Sequence, residues 1–157
     1  MKNSNVTKNR MRVALLLVLT ASIIGLAPAF STSARADFSI NDVSGNYVDL
    51  ATDGYVFGNG NHAVPETLVG LVTFTPATGT FHADWIVRTE GENGEAIHDG
   101  TYTVDANGHG TMTWLSISGN VKHRDFYIVN GGAELKWINT DPPGTIVVTN
   151  AGIMTKQ

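Results

Sequence analysis

The sequence contains no cysteine. No disulfide can form within the chain, no thiol can act as a nucleophile, and no lipid-modified cysteine can anchor it. Small exported domains often lean on disulfides, so a domain of this kind must be held by its core and its backbone ladders. Charge is unevenly missing as well. Residues 1–36 hold no acid, and residues 37–157 hold only five cations, Arg88, Lys122, Arg124, Lys136 and Lys156, against all 14 acids, a formal net charge of −9. Such a balance, with the cations scattered, excludes the electrostatic footprint of a nucleic-acid or anionic-membrane binder. Long apolar runs are absent too. The longest, residues 13–26, is interrupted by Thr20, Ser22 and Gly25, and is short of the roughly 20 residues that span a bilayer.

What stands at the start is a leader. Lys2, Lys8, Arg10 and Arg12 precede the apolar stretch, Pro28 breaks it, and Ala34-Arg35-Ala36 supplies the small-x-small pattern that signal peptidase reads. The expected cut follows Ala36, which makes residues 1–36 the signal peptide and residues 37–157 one exported domain. A second candidate cut lies at Ala27-Pro28-Ala29, and an uncleaved membrane anchor is the competing reading. Processing after Ala36 leaves no membrane span and places the protein outside the cytoplasm, secreted or periplasmic.

Past residue 37 the apolar periodicity is two rather than 3.6. Strands are predicted over residues 45–51, 66–76, 80–90, 96–105, 111–118, 122–129, 134–139 and 145–156. Turns at Ala77-Thr78-Gly79, residues 91–94, Asn107-Gly108, Gly119-Asn120 and Asn130-Gly131-Gly132 separate them. Eight short strands in sequential hairpins, with no helix, predict an all-β, up-and-down antiparallel barrel, whose closure leaves no free edge. Residues 52–65, rich in glycine, are expected to form a long loop at the barrel mouth.

Particular segments carry a family resemblance. Gly45-Asn46-Tyr47 is similar to the Gly-x-Trp/Tyr opening of calycin barrels. Residues 100–106 with Gly110-Thr111, residues 126–138, residues 141–145 and the Lys156-Gln157 end together resemble a group of small exported bacterial proteins. The resemblance covers nearly all of residues 37–157. It implies a barrel of the lipocalin or allene oxide cyclase type, and with it either an apolar ligand in the lumen or a cofactor-independent cyclisation or isomerisation. It carries over no catalytic residue.

Few residues offer chemistry of their own. No G-x-S-x-G elbow is present, and the glycines at 58–60 lack the lysine and helix of a phosphate loop. His82 with Asp84, and His123 with Asp125, repeat an H-x-D spacing that suits a metal only if the two strands converge; the alternative is that both pairs face solvent, and no metal or cofactor is assigned. Asp84, Asp125 and Glu134 lie within strands and are the better candidates for paired-carboxylate chemistry, against the alternative that each marks the outer face. The aromatics are more telling: Tyr47, Phe74, Phe81, Trp85, Tyr102, Trp114, Phe126 and Trp137 all fall on inward faces. They either pack the interior solid or line a cavity. The leading expectation is a lumen binding a small apolar molecule between Tyr47, Trp85, Tyr102, Trp114 and Trp137, with Tyr55, Phe57 and His62 at its entrance. A cyclase or isomerase using the same cavity, and a solid-cored envelope or surface interaction protein, are the alternatives.

Overall fold

The computed structural model describes residues 37–57, 63–90, 92–141 and 147–157. Of the two units into which the chain divides, Met1–Arg35 and Ala36–Gln157, only the second has described residues. The expected leader, residues 1–36, lies outside them, as do His62 and residues 142–146.

Among the described residues nine strands follow in order: β1 (Gly45–Phe57), β2 (Ala63–Thr75), β3 (Thr80–Thr89), β4 (Glu92–Val104), β5 (His109–Leu115), β6 (Val121–Val129), β7 (Glu134–Asn139), β8 (Val147–Thr149) and β9 (Ala151–Lys156). Each strand from β1 to β6 pairs antiparallel with the next. β7 then pairs with β9, and β9 with β1, which closes the ring. β8 and β9 lie on the same edge of β1, with Tyr55 opposite Thr149 and Leu50 opposite Ile153. They are two halves of one barrel strand, broken at Asn150. The fold is therefore a closed eight-stranded antiparallel barrel in up-and-down order.

Alternation builds it. On β3, Phe81, Ala83 and Trp85 are buried while His82, Asp84 and Ile86 are exposed. All eight aromatics on the expected inward faces are buried. Their bulk fits because small residues face them across the ladder: Gly70 opposes Trp85, and Gly152 opposes Trp137. A Cβ at either glycine would run into the indole opposite.

The expected mouth loop at residues 52–65 is corrected. β1 runs on to Phe57 and β2 starts at Ala63, so most of that segment is a long hairpin with Phe57 opposite Ala63. The register shifts between Ala51 and Gly54. Thr52 and Asp53, the start of the expected loop, are thus absorbed by a bulge that bends the strand without ending it.

One end of the barrel is sealed. Residues 38–43, with a 3-10 turn at Ile40–Asp42, reach three of its turns. Phe38 N–H donates to Ala106 O at 3.3 Å, Ile40 lies against Gly79, and Asp42 O against Gly132. Beneath this strap, the Tyr102 hydroxyl donates to Val43 O at 2.8 Å and the Tyr47 hydroxyl to Gly132 O at 2.6 Å. Burial pushes the Tyr102 hydroxyl up to about 12. Phe74 packs edge-on against both, with ring centroids 5.4 Å and 4.9 Å away. Such pairs add roughly 0.5–1.5 kcal/mol each beyond area burial. Buried aromatic side chains in mutual contact fill this half of the interior.

Candidate functional site

The other half contains charge. Asp49 on β1 and Arg124 on β6 are both fully inside, and Arg124 Nη1 donates to Asp49 Oδ2 at 2.7 Å. Two indoles complete the carboxylate's shell: Trp85 Nε1 donates to Oδ2 at 2.9 Å, and Trp137 Nε1 to Oδ1 at 2.8 Å. Arg124 Nε donates to Asn139 Oδ1 at 3.2 Å. Its guanidinium carbon stands 3.4 Å from the Trp137 ring centre, with Trp85 and Trp114 at 5.1 Å and 5.6 Å. A cation desolvated among π faces gains from each of them. Burial pulls the Arg124 pKa down and the Asp49 carboxylate pulls it back up.

Above this polar floor the barrel opens. A pocket of about 140 Å³ lies at the end opposite the strap. Its apolar walls are Trp85 and Trp114 with Leu68, Val87 and Ala96. Its polar lining is Glu66, His98, Lys122, Asp141 and Asn150, together with Arg124. Lys122 Nζ is 2.7 Å from Asp141 Oδ2, and the His123 backbone N–H donates to Asp141 Oδ1 at 2.7 Å, so this ion pair ties β6 to the end of β7. Glu66 lies almost wholly inside, and its Oε1 accepts from Asn150 Nδ2 at 2.7 Å. Asn150 occupies the break between β8 and β9, where its carbonyl accepts from Asn139 N–H at 2.9 Å. Gly54 makes room for it, since a Cβ there would sit 2.5 Å from that of Asn150. Asn150 Oδ1 is buried and has no hydrogen-bond partner among the described residues.

Besides Arg124, two groups facing this pocket titrate away from their ordinary values. Burial pushes the Glu66 carboxyl up, against the opposing pull of Arg124 and Lys122. Burial pushes the His98 imidazole down. His98 packs on Trp85 and Trp114, with ring centroids 5.7 Å and 6.4 Å away.

The residues expected to line a lumen are divided by this geometry. Trp85 and Trp114 wall the pocket, and Trp137 lies in its floor through Asp49 and Arg124. Tyr47 and Tyr102 belong to the sealed half. Tyr55 and Phe57, expected on an entrance loop, are on β1 past the bulge, with ring centroids 6.5 Å apart. The two H-x-D pairs do not converge. His82 Nδ1 lies 2.7 Å from Asp99 Oδ1 on the outer face, whereas His123 Nδ1 meets the Thr113 hydroxyl at 3.2 Å. Among the described residues no three His, Asp or Glu side chains are grouped to hold a metal ion. Asp84 is exposed, Asp125 lies 3.8 Å from His109, and Glu134 lies 3.9 Å from Lys136.

The charged residues that build the site are ones the sequence reading passed over. Parity was the available signal. Asp49 sits between Tyr47 and Ala51, Glu66 two before Leu68, and Arg124 two before Phe126, each in phase with buried neighbours.

No family model and no curated protein matches the chain. Among solved structures, a de novo designed fluorescence-activating β-barrel is similar at 11% identity and a TM-score of 0.49, over 75% of this chain and 96% of that one. Fold and site together define a β-barrel with one end strapped shut and a charged floor beneath a pocket at the other.

Proposed function

We propose that this protein is an exported barrel, secreted or periplasmic, that binds a small molecule with a flat apolar body in the pocket at its open end. The observation that carries this reading is the asymmetry of the interior. Half of it is packed solid, while the other half leaves about 140 Å³ between Trp85, Trp114, Leu68, Val87 and Ala96. A cavity of about 150 Å³ accommodates benzene, so the pocket suits a ligand of about one ring. Aromatic walls with a few fixed polar groups are the usual composition of a small-molecule site. The lipocalin-like resemblance of the sequence agrees with a carrier role.

Titration with small aromatic probes tests it, because two wall residues are tryptophans. Saturable quenching or shifting of their emission, weakened by Trp114→Phe more than that change weakens folding, is the expected result. A flat response to every probe would remove the reading.

A second reading, a cofactor-independent isomerase or cyclase, draws on Glu66 and His98. A carboxyl pushed up and an imidazole pushed down by burial in one pocket are environment-shifted groups of the kind from which a general acid and a general base are drawn. Under this reading Glu66→Gln abolishes turnover of a bound substrate; under the carrier reading there is no turnover to lose.

A further inference from the structure

Most charges around the pocket are already matched. Arg124 is held by Asp49, and Lys122 by Asp141, each at 2.7 Å. Glu66 is not matched: among the described residues it makes no ion pair, and its side-chain hydrogen bond comes from the neutral Asn150 amide. Only Oε1 is engaged by that bond. Beside it Asn150 Oδ1 is a second acceptor without a donor, on a side chain 4% exposed. A buried acceptor left unsatisfied is destabilising. Glu66 and Asn150 line the same pocket as Trp85 and Trp114, with Asn150 Oδ1 itself buried beneath its surface.

An unpaired carboxylate facing a pocket calls for an N–H donor carrying positive charge. We propose that the molecule bound in this pocket is a primary amine in its ammonium form, its nitrogen held by Glu66 and its apolar body packed on Trp85 and Trp114. The hydrogens of an ammonium group can serve the carboxylate oxygens that Asn150 leaves free. An anion is disfavoured because both cations already hold carboxylates and the unbalanced charge is negative. This ligand class rests on the pocket reading above, and the two fail differently.

The test is calorimetric titration of the full exported domain with benzylammonium, toluene and benzoate, repeated on Glu66→Gln. That variant keeps the shape of the side chain and an acceptor for Asn150 while removing the charge. Benzylammonium is expected to bind at least about tenfold tighter than toluene. Glu66→Gln should erase that advantage, while toluene that still binds the variant saturably establishes that its pocket is intact. Equal binding of toluene and benzylammonium, an advantage that survives Glu66→Gln, or tighter binding of benzoate, would overturn the ligand class while leaving the pocket in place. No binding by any of the three would overturn the pocket reading and the ligand class with it.

Discussion

Arg124 and Asp49 meet at 2.7 Å inside the barrel with their side chains 2% and 0% exposed. They are 75 residues apart in sequence and come from β1 and β6. A buried pair of this kind is weak evidence of net stability, yet breaking it strands a charge where water cannot reach. Asp49→Ala is expected to cost about 3–5 kcal/mol in denaturant melts. Replacing both residues by leucine and methionine should cost much less than the two single changes added together. Strict additivity in that cycle would mean that the pair is not coupled.

The three tryptophans should separate by what their indole nitrogens do. Trp85 and Trp137 donate to Asp49, whereas Trp114 has no such bond among the described residues. Changing either donor to Phe leaves the buried carboxylate short of a partner and should cost about 1–3 kcal/mol beyond lost packing. Trp114→Phe should cost less, and show more in ligand binding. Equal losses at all three positions would contradict this division.

Glu66 should make stability fall as pH rises. Its folded pKa lies above the ordinary 4.5 because burial disfavours the charged form. Between those two values the folded state holds a proton that the unfolded chain has released, so folding weakens across that window and stays weakened above it. Glu66→Gln should therefore raise Tm at pH 7 and lose its advantage below pH 4.5. His98 works from the other side: its folded pKa lies below 6.5, so stability is lost as pH falls through that value. A Glu66→Gln effect that is the same at pH 4 and pH 7 would exclude a charged, strained carboxyl.

Strand order was readable because alternation is local. Phe81, Ala83 and Trp85 against His82, Asp84 and Ile86 place β3 without any knowledge of its neighbours, and Gly108, at φ 81°, does lie in the turn expected of Asn107-Gly108. The length of β1 was hidden because Thr52-Asp53-Gly54 has turn composition, and only pairing with β2 reveals a bulge. The site was hidden for a related reason. A charge within a strand defaults to the outer face, and what overrides that default for Asp49 is donors from β3, β6 and β7, all distant in sequence. Trp85, Trp114 and Trp137 were visible as inward aromatics, but not their division between wall and floor.

Export is tested at the terminus. Mature protein from the culture medium or periplasm should begin at Asp37, as read by N-terminal sequencing. Material that begins at Met1 or Met11 would contradict cleavage after Ala36.

The ligand pocket is tested most directly by amide and indole NMR during titration of the isotope-labelled domain with benzylammonium. The expected shifts are confined to the open end: the indole N–H signals of Trp85 and Trp114 and the amides of Leu68, Val87, Ala96 and Ser116, all of which line the pocket. Tyr47, Tyr102 and Met112 in the solid half should stay still. Shifts confined to the outer row formed by Leu50, Val69 and Ile86, or no saturable shift anywhere, would contradict a binding site inside the barrel.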